Sequence, residues 1–362
     1  MEFTPKRRLL SAIKGQETDY TPFSPFLAYY FDFLPQDTRN KGDLIYLKEM
    51  GADPLLRGAL QAYSINHKGV DISDIAKGGK RVLTRSFKKG RLISEYTYSE
   101  TAKSWFLSGH PVKSLDDLNI FIEMMKETEV RSEIDKTNES IRALGEDGLQ
   151  LAVLGMDMKS AFQNLMENWL GTENLVYFCM DYPDEINEAL RVMNAVNIKT
   201  VEYTASSEAS ACLSWEDSST TNINPSMYRE YIMPEISKWC ALLGQAGKPY
   251  IQHACGHIKD LLPFFAEQGN TSVESISPPP TGNVTVKEAD AILPKNVSII
   301  GGIEATHFLN DHIDKLLDYV EEILYTVKGR GFVLSNSDSC PPGVEYEKFI
   351  KIAQFVKSHK RN

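Results

Sequence analysis

The feature that most constrains this chain is a regular alternation that begins near residue 149. Short apolar runs, the length of strands, take turns with longer stretches of helical periodicity. The runs are 149–156, 210–217, 248–256, 269–277, 296–303 and 331–339. Between them, 185–203 places Ile186, Leu190, Met193 and Val196 on one helical face. Asn224 and Pro225 read as an N-cap and a first-turn proline. They open a helix that runs to Leu243 and must bend at Pro234. Further helices are expected in 258–268, over 310–327 and after Gly343. Such an alternation implies a parallel sheet covered by helices. An open doubly wound sheet and a closed (β/α)8 TIM barrel both satisfy it. The barrel is preferred, because the length suits it and no GxGxxG follows the first strand. Two less regular strands, in 21–26 and near 51–57, complete a count of about eight. Residues 80–107 alternate like an antiparallel hairpin with its turn at Lys88–Gly90, an insertion on the barrel. The polar stretch 126–148 reads as exposed helix. No linker or low-complexity run interrupts the chain, so 1–362 is expected to form a single domain.

Charge and composition narrow the partners. Lysines and arginines number 39 against 49 acidic residues, a net charge of −10. Nucleic acid and anionic membrane surfaces are therefore poor partners. No window of 18 apolar residues exists, and the charged N-terminus carries no signal-peptide core. The five cysteines are too few and too odd in number for a disulfide framework. A reducing cytoplasm is the expected compartment.

Active sites of (β/α)8 barrels lie at the C-terminal ends of the strands. The polar residues there are Glu216, Asp217, His253, Cys255, Glu274, Gly301, Gly302, Glu304, Asp338 and Cys340. Polar groups on apolar strands cost stability unless paired or used. His253 and Cys255 stand two residues apart and can share a strand face. Cys340 follows a strand three βα units later, at the same barrel mouth. One imidazole and two thiolates are a ligand set of catalytic zinc with an open fourth position. Two small buried cysteines and a hydrogen-bonded histidine would account for the same residues. Glu216 and Asp217 form an acid/base pair or a helix cap. His257 is expected to open the next helix, Glu304 and His307 to lie in a loop, and Cys212 and Cys240 to be core. The stretch 23–33 holds six aromatics in eleven residues. It lines a hydrophobic mouth or packs the first strand.

Four segments carry a family likeness. Residues 7–23, the run Asn224 to Tyr231, residues 251–269 and residues 298–303 resemble the uroporphyrinogen decarboxylase superfamily. The likeness spans nearly the whole chain and implies a (β/α)8 barrel. One branch of that superfamily decarboxylates tetrapyrroles without metal and binds substrate carboxylates through an arginine-rich N-terminal segment. The matching stretch here, 25–35, has no arginine. The other branch, similar to methylcobalamin:coenzyme M methyltransferase, binds zinc through His-x-Cys and a distant Cys. His253, Cys255 and Cys340 match that pattern. The resemblance then implies zinc as cofactor, a corrinoid carried on a partner protein, and a small-molecule methyl donor or acceptor. Glu216 and Glu274 would assist substrate or metal. Tyr29, Tyr30 and Phe31 would wall the corrinoid- or substrate-facing mouth. No Asp-x-His-x-x-Gly motif is present, so the chain does not carry the corrinoid itself.

Overall fold

The computed structural model describes residues 3–359. Along the chain its strands are β1 (Leu55–Leu60), β2 (Tyr63–His67), β3 (Asp71–Lys77), β4 (Lys80–Phe87), β5 (Gly90–Ser99), β6 (Ser104–Gly109) and β7 (Thr128–Ser132). They continue with β8 (Leu149–Val153), β9 (Cys212–Glu216), β10 (Tyr250–Ala254), β11 (Ser272–Ile276), β12 (Ser298–Ile303) and β13 (Phe332–Asn336). The residues divide into two compact units. One holds the chain up to Gln61, Ile134–Val153 and everything from Thr204; the other holds Ala62–Glu133 and Leu154–Tyr203.

The first unit is built on a seven-stranded sheet in the order β1-β8-β9-β10-β11-β12-β13, every pair parallel. The strands from β8 onward fall on the apolar runs expected for them. Parallel strands buried on both faces need continuous apolar sequence, which is why these runs are so easily read. The sheet is curled. Leu55 of β1 and Val333 of β13, at opposite edges, share one core cluster with Leu149, Leu213, Ile251 and Ile300. Helix Pro5–Ile13 packs Leu9, Ala12 and Ile13 into that cluster. Its N-terminus is capped by Thr4, which accepts from Arg7 N.

Residues 21–26, expected as a strand, form an isolated parallel bridge, Phe23 with Leu334. Leu334 N donates to Pro22 O, and Ser24 N donates to Leu334 O. On the other side Asp53 N donates to Phe23 O, and Leu55 N donates to Ser24 Oγ. This short segment therefore bonds to both edges of the curled sheet. Two features of the intervening helices follow the sequence closely. Asn224 caps the turn that begins at Pro225, accepting from Met227 N. Ahead of Pro234 the helix loosens into a π-helical stretch, Tyr228–Ile232, where the proline's missing N–H breaks the ordinary ladder.

In the second unit the expected hairpin proves to be half of a four-stranded antiparallel sheet, β3-β4-β5-β6. Its β4–β5 turn is at Lys88 and Lys89, as the sequence indicates. One expectation is corrected. Residues 128–132 are strand β7, paired antiparallel with β2, and the polar helix begins only at Ile134. Thr128 and Val130 are β-branched and sit opposite His67 and Ile65, so pairing overrides the polar helical pattern. Ile186, Leu190, Met193 and Val196 are all buried on helix Pro183–Ser206, as their spacing predicts. Among the described residues no helix is long and apolar enough to cross a membrane.

Arg330 ties the lower part of the first unit together. Its side chain is fully buried and donates to Asp290 Oδ1 and to the carbonyls of Asp290, Leu293, Pro294 and Val297. Replacing it with Met would strand these acceptors in the interior. Arg330→Met is expected to lower the unfolding free energy by about 3–5 kcal/mol, measured by urea denaturation. A loss within the range of ordinary surface substitutions would show that water replaces the guanidinium.

Candidate active site

The strand register of the first unit sets three side chains at one level. His253 of β10 is paired with Trp215 of β9 on one side and with Glu274 of β11 on the other. All three lie near the C-terminal ends of their strands, where parallel sheets place their chemistry. His253 is 6% exposed and Glu274 is 3% exposed. Buried carboxylates demand a counter-charge. Glu274 receives it from Arg57 of β1, whose Nε donates to Oε1. The guanidinium also donates to Leu55 O, Ser24 O and Ser335 Oγ. Burial alone would raise the Glu274 carboxyl, but the charge of Arg57 and the hydrogen bond from His253 outweigh it and hold the group down at about 2.

An ionised Glu274 decides how His253 presents itself. Nδ1 lies 3.3 Å from Glu274 Oε2 and must carry the proton there. Nε2, 3.9 Å from Asp338 Oδ1, then offers its lone pair toward the loop after β13. Aromatic rings surround the imidazole. Trp215 lies 4.6 Å from it between centroids, and Phe26 lies 6.0 Å away edge-on. Phe26 stacks on Trp215 at 5.3 Å and receives Arg57 over its face at 5.2 Å. Its backbone is clamped: Phe26 N donates to Asn336 Oδ1, and Phe26 O accepts from Asn336 Nδ2 and Cys340 N.

The two thiols have neighbours of their own. Cys255 Sγ is 3.8 Å from Asp217 Oδ1. Cys340 is buried, with its Sγ against Pro341 O, and burial raises its thiol well above the ordinary range. Its loop is held by Ser275 and Ser277, which both donate to Ser337 O. Ser275 adopts a φ of +79°, a left-handed conformation uncommon outside glycine. Among the described residues no three His, Cys, Asp or Glu groups gather closely enough to hold a metal ion.

The other expected residues divide. Glu216 is buried at the end of β9, but strand alternation sets it on the face opposite Trp215 and His253. Glu304 lies in no loop: it caps helix Ala305–Asn310, accepting from Thr306 N and His307 N. His257 lies ahead of the next helical turn, its N–H donating to Ser219 Oγ. Burial pushes the Cys212 and Cys240 thiols up to about 12, as inert packing residues require. Of the aromatic stretch, Tyr29 is 46% exposed and Tyr30 packs on Tyr46 and Phe349. Phe31 alone of the three lines a cavity of about 260 Å3, which it shares with Phe26, Asp32, Asp43 and Arg57. A larger cavity of about 610 Å3, among residues 15–21 and 321–330, holds none of the strand-end groups. Sequence reading missed Arg57 and Trp215 as site residues, and within the aromatic stretch 23–33 it singled out Tyr29, Tyr30 and Phe31 and not Phe26. A lone arginine in the apolar run Leu55–Leu60 was the available signal.

Removing Arg57 takes away the cation at Glu274 and leaves only the hydrogen bond from His253. Arg57→Leu is expected to destabilise the protein by about 3–5 kcal/mol, and the double change Arg57→Leu/Glu274→Leu by markedly less. A double-mutant cycle in urea checks this. Additive losses would mean that the pair is not coupled.

No curated protein matches the sequence. A methyltransferase from Methanosarcina mazei superposes over 99% of this chain and 99% of its own, with a TM-score of 0.64 and 15% identity. A D-psicose 3-epimerase from Clostridium cellulolyticum H10, solved with D-tagatose, covers 62% of this chain and 76% of its own at 12% identity. Its TM-score of 0.34 is too low to bear on the site. The signature of the uroporphyrinogen decarboxylase (URO-D) family matches residues 111–359, which takes in β7 to β13 and thus His253, Cys255, Glu274 and Cys340. On that match over more than half of its length, the chain belongs to the URO-D family.

Proposed function

We propose that this protein is a zinc-dependent methyltransferase that moves a methyl group between a small substrate and a corrinoid held by a partner protein. A methyl ether, methylamine, methanol or thiol fits the substrate role. The observation that carries this reading is His253. Its Nδ1 faces an ionised Glu274, and its Nε2 is turned toward Asp338, near the C-terminal end of β10. A carboxylate behind an imidazole is the usual support of a metal-binding histidine. The full-length likeness to a methyltransferase supports the same branch of the family.

Zinc would be held by His253 through Nε2 and by Cys255 and Cys340 as thiolates. The donor chemistry fits the ion, and Cys340 would have to leave the Pro341 carbonyl to join. When bound, zinc keeps a substrate thiol ionised at neutral pH or activates the oxygen leaving a methyl ether. The chain's own residues do the rest. Arg57 keeps Glu274 ionised, Glu274 keeps the proton on Nδ1, and Asp338 faces the reacting side. Phe26 and Trp215 stack into an apolar wall beside the imidazole, which strengthens local electrostatics, and Phe31 lines the cavity that Phe26 and Arg57 share. We extend the reading to the whole chain as one cytoplasmic (β/α)8-barrel domain in which residues 22–26 serve as the eighth strand. Tetrapyrrole decarboxylation is disfavoured, because 25–35 lacks arginines and the net charge of −10 repels a polycarboxylate.

Freshly purified protein is expected to contain about one zinc per chain. Cys255→Ser and Cys340→Ser should lose it while staying folded, since the core does not depend on metal. Metal analysis showing no zinc, with all five thiols titrating freely, would sink the reading. Methylcobalamin should support methyl transfer once a partner corrinoid protein or a suitable acceptor is supplied. Phe31→Ala should lower kcat/KM with zinc content unchanged. Steady conversion of uroporphyrinogen to coproporphyrinogen would favour the decarboxylase branch instead.

A further inference from the structure

The four-stranded sheet of the second unit ends in an open edge. Among the described strands β3 pairs with β4 on one side and with none on the other. All seven of its residues are exposed, it contains no proline, and its pairing with β4 runs without a bulge. Edges of that length are ordinarily blunted, because their free N–H and C=O groups recruit another strand. The turn at Gly78 and Gly79 has positive φ at both residues, +57° and +72°. Lys77 and Lys80 therefore flank a two-residue turn as a hydrogen-bonded pair. Alternation then aims the backbone groups of Asp71, Ser73, Ile75 and Lys77 at β4, and those of Ile72, Asp74 and Ala76 at the open side.

We propose that this edge pairs antiparallel with the same edge of a second copy of the chain, about a two-fold axis at Asp74. The charges of β3 are self-complementary about that residue. Asp71 and Lys77 flank it at equal distance, so each Asp71 falls opposite the second copy's Lys77. Ile72 falls opposite Ala76, and Ser73 opposite Ile75. Asp74 meets Asp74, but each is already held by its own Arg81, with Nε at 2.8 Å and Nη2 at 2.6 Å. Each Asp74 thus brings its own counter-charge to the axis. All three outward residues of each copy find partners in this register, and moving the axis by one residue separates the Asp–Lys pairs. The register also brings the exposed apolar face of one sheet, Ile75, Val82, Ile93 and Phe106, alongside its counterpart. The result is one continuous eight-stranded sheet, an isologous interface.

Sedimentation velocity on the full chain, across a concentration series, is the test. The expected species is a dimer of twice the 40.8 kDa chain mass. Hydrogen exchange should slow at the amides of Ile72, Asp74 and Ala76 as concentration rises. Ala76→Pro removes an outward N–H without touching the β4 ladder and should abolish the dimer. Lys77→Asp should weaken it about tenfold or more, and Asp71→Lys/Lys77→Asp should restore it. The charge variants keep the test decisive even if Ala76→Pro misfolds. A monomer at every concentration overturns the proposal. So does a dimer unmoved by these variants, or one in which the three amides exchange independently of concentration.

Discussion

A carboxylate on the inner wall of a parallel sheet is stable only beside a cation, and here the cation comes from the opposite edge. Glu274 sits on β11 and Arg57 on β1, with the curl of the sheet bringing them into contact. Side-chain exposure is 4% for each, so neither charge can be left alone. The pair fixes more than stability. An ionised Glu274 sets the tautomer of His253, and the tautomer determines which ring nitrogen is free for chemistry. Arg57 in turn reaches Ser24 and Ser335, so the same guanidinium bonds the segment 22–26 and β13.

Much of the framework was legible in the sequence. Strands buried on both faces are apolar throughout, and each appears as a run bounded by helical periodicity. Cap and breaker residues were equally clear: Asn224, Pro225 and Pro234 act as their chemistry dictates. Pairing was less legible. Residues 128–132 carry polar residues that suit a helix face, and only the presence of β2 makes them a strand. The hairpin at 80–107 was visible, but its flanking strands β3 and β6 depend on edges that local sequence does not announce.

The candidate site shows the same division. His253 and Glu274 could be found because they interrupt apolar strands. Glu216 interrupts one as well, yet it lies on the other face. Phase at a strand end turns on a single residue, and a sequence with polar residues at successive positions does not reveal it. Trp215 was passed over for the opposite reason: an aromatic in an apolar strand reads as packing until the histidine beside it is known. The stretch 23–33 combined both uses, with Tyr30 in a cluster of rings and Phe31 on a cavity wall.

Phe26 connects these threads. Its segment is a strand in function though barely one in length, bonded to β13 through Leu334 and followed by the Asn336 clamp. Asn336 uses its amide as a stretch of backbone would, donating to and accepting from the same residue. That arrangement fixes the Phe26 ring against Trp215 and beneath Arg57. Cys340 N bonds the same carbonyl, so the loop bearing Asp338 and Cys340 is positioned by the residue that walls the imidazole. The contacts that hold the N-terminal segment against the sheet edge are thus the contacts that assemble the site. Register alone sets the histidine of β10 beside the carboxylate of β11, but the ring of residue 26 reaches them only if that edge is in place.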